Sequence, residues 1–269
     1  DMAISMAPGL YTVIVYQAGP SSNPFDLLNR MATDTNSLGQ PAARQLSSSW
    51  SWSAPTSSQD QIFQQFAAQG QSFFQASGDI GAYCGTCSPY PPTDSTNITV
   101  VGGTFLTTSE PGGAWLSETV WNSGGGGVST NYPIPSWQQG IDMSCNGGST
   151  SMRNLPDVAC VADSIWVIVN NGEQGVTGGT SAAAPLWAGF AALVNQQAAA
   201  SGQPSVGLIN AAIYAIGKSS RYGSAFHDIT AGNTTNACCG PHKFFACPGY
   251  DLCTGWGTPV GADLISALL

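Results

Sequence analysis

Charge is what this chain has least of. Only 8% of its 269 residues are charged, and Lys and Arg together number six; an average soluble domain carries about 25%. No basic cluster exists, which argues against nucleic acid or an anionic membrane surface as a partner. Fifteen acidic residues set the net charge at −9. Few bases also limit the positive charge the chain can gain in acid, and with it the self-repulsion that drives acid unfolding. The composition suits an acidic medium, and equally an ordinary secreted acidic protein.

Long apolar runs are missing too. None reaches the ~18–20 residues of a membrane span, so a soluble chain is expected. No secretory leader is visible. The opening "DMAISMAPGLYTVIVY" reads as a helix running into a strand, and residue 1 is expected to be a processed or artificial start. Histidine is nearly absent: only His227 and His242 occur, both late in the chain.

Cysteine, by contrast, is plentiful. Cys84, Cys87, Cys145, Cys160, Cys238, Cys239, Cys247 and Cys253 lie in Gly/Pro-rich surroundings, which favours disulfides and an oxidising, extracellular compartment. Zinc is the rival, because Cys84-Gly-Thr-Cys87 has ligand-like spacing, but no second such pair completes four ligands. Asn97-Ile-Thr99 and Asn233-Thr-Thr235 are glycosylation sequons, meaningful in a eukaryotic secretory host.

Apolar patterning predicts an α/β chain. A continuous β-branched run over 11–19 reads as a buried parallel strand. Residues 24–37 carry helical spacing, 43–52 reads as a second strand, and 58–79 as a helix, a stop at Gly70 and a strand arriving at Asp79. Strands are expected at 97–104 and 164–172, and a long Ala/Leu helix over 181–202. Strands alternating with helices imply a parallel sheet covered by helices on both faces. Residues 105–160 and 219–259 read as long irregular regions within one domain, and ordered loops of that length are usually functional.

"GVTGGTSAAAPLWAGFAALV" (175–194) places Ser181 at the start of an apolar helix, where orphan N–H groups and the helix dipole favour developing negative charge. That suits a nucleophile beside an oxyanion hole. A plain N-cap serine is the alternative.

The string "GGTSAAAP" resembles the serine motif of two related families, the subtilases and the sedolisins, or serine-carboxyl peptidases. A subtilase requires a histidine before its serine, and none precedes Ser181. Sedolisins use acidic partners instead. Further strings resemble sedolisin motifs in the same order: "ASGDIGAY" (76–83), "SGGGGVS" (123–129) with "PSWQQG" (135–140), "RNLPDVACVAD" (153–163), "FHDITAGN" (226–233) and "CPGYDLCTGWGTP" (247–259).

The resemblance implies a subtilisin-like parallel sheet flanked by helices, with a C-terminal calcium-binding loop region. It implies Ser181 as nucleophile and Asp79 as the acid that helps bind the oxyanion, a role a carboxyl group fills only while protonated. Segment 49–53 aligns with a substrate-binding strand. That puts Ser51 and Trp52, or Trp50, at the substrate, with core packing the alternative for either tryptophan. Calcium would be held by the side chains of Asp228 and Asp251 and the carbonyls of Ile229, Cys247 and Gly249, since calcium takes several oxygen ligands. A disulfide-pinned loop without metal is the alternative. Cys238, Cys239 and Cys253 are expected to pin this loop. Arg153, Asp157 and Glu118 are assigned to architecture.

The family's proton acceptor is a glutamate four residues before an aspartate, on one helix face. Counted back from Ala7-Pro8, that aspartate falls just before Asp1, so the chain is expected to be an N-terminally incomplete peptidase domain. Asp1 fills the role only through a register shift. The implied activity is acid-active hydrolysis of protein or peptide substrates through an acyl-enzyme, by an endopeptidase or a tripeptidyl aminopeptidase. The expected partners are those substrates and a propeptide or upstream segment. A secreted, non-catalytic binding domain on a degenerate peptidase fold is the rival.

Overall fold

The structure is a computed structural model that describes residues 1–19, 21–52, 57–83, 88–145, 147–235 and 244–269. Cys84, Cys87, Cys238, Cys239 and His242 lie outside the described residues.

In chain order the helices are α1 (Met2–Met6), α2 (Pro24–Thr33), α3 (Ser57–Ala68), α4 (Thr180–Ala200), α5 (Asn210–Gly217), α6 (Tyr222–Ala225) and α7 (Gly261–Leu268). The strands are β1 (Gln45–Ser48), β2 (Ser72–Ala76), β3 (Thr99–Thr108), β4 (Trp115–Val120), β5 (Gly127–Pro133), β6 (Met152–Leu155), β7 (Val158–Val161), β8 (Ile165–Val169) and β9 (Glu173–Thr177), with two short strands, β10 (Phe226–His227) and β11 (Thr258–Pro259).

The main sheet runs β1-β2-β3 in parallel, with β7 parallel and β4 antiparallel to β3. Successive side chains of a strand face opposite sides, and Phe73 and Phe74 show the consequence. Phe73 packs with Leu46 and Val100 under α2 and α3, against Leu28, Met31, Ile62, Phe63 and Phe66. Phe74 packs with Val101 and Val158 under α4, against Trp187, Phe190 and Val194. The predicted parallel sheet with helices on both faces is what the chain forms.

Several elements follow from local chemistry. Asn23 caps α2, its side chain accepting from the Phe25 N–H at 3.0 Å, and Pro24 opens the helix, where a proline ring costs no hydrogen bond. Gly70, at φ +70°, makes the left-handed exit from α3 toward β2.

Three readings need correction. The run 11–19 forms no helix or strand and joins no strand ladder among the described residues, and Tyr11 is fully exposed, with Val15 at 80%. Its β-branched composition suits a strand, but burial needs a neighbouring strand, and among the described residues β1 pairs with β2 alone. Residues 164–172 do form a strand, but as half of the antiparallel β8–β9 hairpin outside the main sheet. Trp166 and Val176 on this hairpin are 62% and 63% exposed. Residues 105–160 are not irregular: they hold β4 to β7, including the β7 that completes the parallel sheet.

A buried ion pair ties the sheet to α5. Arg153 and Asp157, both fully buried, meet at 2.7 Å, and Arg153 also donates to the Ser95 and Ile98 carbonyls. Asp157 accepts from the Val100 N–H, Asn210 and the Tyr214 hydroxyl. Glu118 is likewise structural, accepting from Thr104, Trp115 and Thr258.

Candidate active site

The β2 strand delivers Ser77-Gly78-Asp79 to the sheet's carboxyl edge, where ligand sites of parallel α/β sheets gather. The α4 helix starts against this edge. Asp79 Oδ1 accepts from the Thr180 N–H and from the Thr180 hydroxyl, both at 2.8 Å. The same hydroxyl accepts from the Gly78 N–H at 3.0 Å. One carboxylate thus satisfies an orphan donor in the first turn of α4 and locks strand end to helix start.

Gly179, the N-cap, sits at φ +119°, a region reserved for glycine. A Cβ here would lie 2.8 Å from Asp79 Oδ2. The second glycine of the Gly-Gly-Thr-Ser string is therefore required by backbone conformation and by the close approach of Asp79. With Oδ1 doubly occupied, Oδ2 is the oxygen left to face Gly179 and the helix start.

Ser181 is the second residue of α4 and is exposed. Pro185 stands four residues later inside the helix. Lacking an N–H, it leaves the Ser181 carbonyl without its helical donor, and the Ser49 hydroxyl donates there instead, at 3.3 Å. That bond fixes segment 49–51 beside the serine. Among the described residues, none accepts a hydrogen bond from the Ser181 hydroxyl.

A cavity of about 230 Å³ opens here, and both Asp79 and Ser181 line it. Ser49, Trp50 and Ser51 form one wall, and Gln75, Ser77, Tyr83 and Thr93 lie deeper. Ser51 is thus at the cavity. Trp52 is not: its indole N–H donates to Gln59 Oε1 at 2.6 Å and its ring packs against the α2–α3 core. The neighbouring Trp50, 80% exposed, stands at the cavity instead. Residues 49–52 lie beyond the last residue of β1, so strict alternation does not say which tryptophan faces in. Gln75, Ser77 and Tyr83 were missed as site residues. No local signal marks them, since a polar side chain reads the same in sequence whether it faces a cavity or a partner.

The C-terminal loop joins the other predicted residues. Asp251 is buried: its Oδ1 accepts from the Cys253 and Thr254 N–H groups and its Oδ2 from the Cys247 N–H at 3.0 Å. Burial pushes its carboxyl up to about 7, against the pull of those donors. Asp228 Oδ2 accepts from the Gly249 N–H at 3.0 Å, while its Oδ1 is buried without a partner. Ile229, at the start of this loop region, is buried, and Gly249 is half-buried at φ +82°. No described Lys or Arg pairs with either carboxylate. Among the described residues no three His, Cys, Asp or Glu side chains cluster, so any cation here would draw most of its ligands from carbonyls. Cys145 and Cys247 form a disulfide. Cys253 is a buried free thiol, as is Cys160, so Cys253 does not pin the loop covalently. Burial pushes both thiols up, Cys160 to about 12.

A serine in the first turn of a helix whose Thr180 is locked to the acid of a strand-end Ser-Gly-Asp, over a parallel sheet, places the chain in the class of α/β proteins with a serine-peptidase frame. The chain belongs to the sedolisin family of serine-carboxyl proteinases. A solved structure of Pseudomonas sedolisin, a serine-carboxyl proteinase complexed with two molecules of pseudo-iodotyrostatin, superposes with a TM-score of 0.74 at 30% identity, over 91% of this chain and 69% of that one. Kumamolisin of Bacillus sp. (strain MN-32) is 36% identical over the whole chain. Tripeptidyl-peptidase 1 of Homo sapiens is 33% identical over 76% of it. The chain spans half the length of kumamolisin and 38% of the human relative. No family model matches the chain.

Proposed function

We propose that this chain carries the nucleophile and oxyanion site of a secreted, acid-active peptidase. One observation carries the reading: Asp79, held through Oδ1 by Thr180, presents its second oxygen beside Gly179 in the cavity that Ser181 shares. Ser181 attacks the peptide carbonyl and forms an acyl-enzyme. The tetrahedral oxyanion is held by the Ser181 N–H, at the positive end of α4, and by the protonated Asp79 carboxyl. Water then releases the acid product. The proton of Ser181 would pass to a carboxylate, the acidic partner that the sedolisin resemblance implies. The Cys145–Cys247 disulfide supports an oxidising compartment.

Calcium is part of the same proposal. The partnerless Asp228 Oδ1 and the buried Asp251, both hydrogen-bonded to loop 247–251, fit a hard cation with oxygen ligands. Asp228, Asp251 and the carbonyls of Ile229, Cys247 and Gly249 would hold it. The ion would neutralise buried negative charge and brace the loop that packs against β7.

The test is cleavage of a denatured protein near pH 3–4 by the full natural polypeptide. Activity is expected in the native protein and lost in Ser181→Ala at unchanged stability; an active Ser181→Ala variant would refute the nucleophile. Similarity to tripeptidyl-peptidase 1 keeps tripeptidyl release as the second reading, distinguished by whether products are tripeptides or internal fragments.

A further inference from the structure

The inner part of the cavity beside Ser181 is unusually polar for a buried space. Gln75 and Ser77 are 2% exposed and Tyr83 is 4% exposed, and all three line it. Each keeps a buried polar atom with no partner: Gln75 Oε1, Ser77 Oγ and the Tyr83 hydroxyl. Leaving such groups unpaired disfavours the empty site. Three at one cavity point to a ligand that satisfies them.

Their chemistry is specific. Gln75 Nε2 donates to the Trp50 carbonyl at 3.1 Å and to the Ala76 carbonyl at 3.2 Å. Those bonds fix the amide orientation and leave Oε1 as a pure acceptor. Ser77 and Tyr83 each offer a hydroxyl that can donate. The Tyr83 oxygen is held close to the backbone: a Cβ on Gly78 would lie 3.7 Å from it, and one on Gly125 would collide with it. Among the described residues no Lys, Arg or His lines the space, and Asp79 is the one charged residue of its wall. Asp94, fully buried and with one oxygen also unpartnered, lies outside the cavity wall and already accepts from Ser129 and Asn131.

We propose that this cavity selects a substrate side chain bearing a neutral carboxamide, glutamine or asparagine, at the residue whose carbonyl Ser181 attacks. The inference rests on the peptidase reading above. The substrate NH₂ donates to Gln75 Oε1, and its carbonyl accepts from the Ser77 and Tyr83 hydroxyls. At about 230 Å³ the space is below the ~300–1,000 Å³ of drug-sized ligand sites and suits a single side chain.

Peptide aldehydes test this, because they add reversibly to a nucleophilic serine as a hemiacetal. The full natural polypeptide is titrated near pH 4 with aldehydes that differ only at the terminal residue: Gln, Asn, Leu, Met, Glu and Lys. Gln is expected to bind roughly 10–100-fold tighter than the similarly sized Leu and Met, since sites built for hydrogen bonds reject analogues that cannot form them. Tyr83→Phe removes only a partnerless oxygen. It should lower Gln affinity roughly tenfold without weakening Leu affinity or destabilising the fold. Preference for Leu, or for Lys through Asp94, with Ser181-dependent binding intact, would overturn the carboxamide assignment alone. Absence of Ser181-dependent binding by every aldehyde would overturn the peptidase reading together with it.

Discussion

Replacing Asp79 by asparagine separates its two duties. In the native site Oδ1 accepts two hydrogen bonds from Thr180, both at 2.8 Å. An asparagine is expected to place its carbonyl oxygen there, because an NH₂ in that position would face the Thr180 N–H and forfeit that bond. The NH₂ therefore takes the Oδ2 position beside Gly179, where it donates to an oxyanion at any pH. The native carboxyl donates only while protonated. Asp79→Asn is thus expected to retain most activity. Asp79→Ala removes the donor and unpairs Thr180. Loss of one oxyanion donor costs about 10²–10³ in rate, or roughly 2.7–4 kcal/mol, and the orphaned Thr180 groups cost about 1–3 kcal/mol of stability. The assay is kcat/KM against pH from about 3 to 7, with urea unfolding of each variant alongside. An asparagine variant as impaired as the alanine variant at every pH would refute the donor role.

Gly179→Ala forces a side chain into a φ of +119° and to within 2.8 Å of Asp79 Oδ2; it should cost about 1–3 kcal/mol of stability and depress activity more than stability, read by paired urea and kinetic measurements. Arg153→Met strands the buried Asp157 carboxyl and should destabilise by about 3–5 kcal/mol, whereas replacing both partners by apolar residues recovers part of that loss in the same urea assay. Calcium should raise Tm in a concentration-dependent way, by mass action on the folded state, with chelator reversing it and Asp228→Asn weakening the response; a variant indifferent to both calcium and chelator, at native stability, would refute the site. Ser49→Ala removes the donor to the Ser181 carbonyl and should lower kcat/KM several-fold with less than about 1.5 kcal/mol lost from stability.

Much of the site was readable because its signals are local. Gly179-Thr180-Ser181 ahead of an apolar run, and Ser77-Gly78-Asp79 at a strand end, are contiguous strings whose backbone demands show in their glycines. The long apolar segment of α4 and the Gly70 stop announce themselves in the same way. What escaped was pairing. The β5 and β6 strands meet through Gly127 and Leu155, and β7 reaches β3 through Val158 and Val101. A glycine-rich strand stabilised by such distant partners has no period of its own. The 11–19 run shows the converse: Val13, Ile14 and Val15 carry every sign of a buried strand, yet burial belongs to the neighbour and not to the residues. Which of Trp50 and Trp52 faces the cavity was open for a related reason, since the chain has left β1 before it reaches them. Gln75, Ser77 and Tyr83 were opaque because a lone polar side chain reads the same whether it faces a cavity or a partner.

The Asp79–Thr180 bonds join residues 101 positions apart. The strand end that carries the acid and the helix start that carries the serine meet only where that long-range contact has formed. A nascent or partly folded chain therefore holds its hydroxyl without the group that would stabilise a reacting carbonyl. On the proposed chemistry, hydrolytic competence requires that long-range contact, so a chain that has not closed it lacks the oxyanion site. Recovery of activity after denaturation would then serve as a clock for closure of that contact.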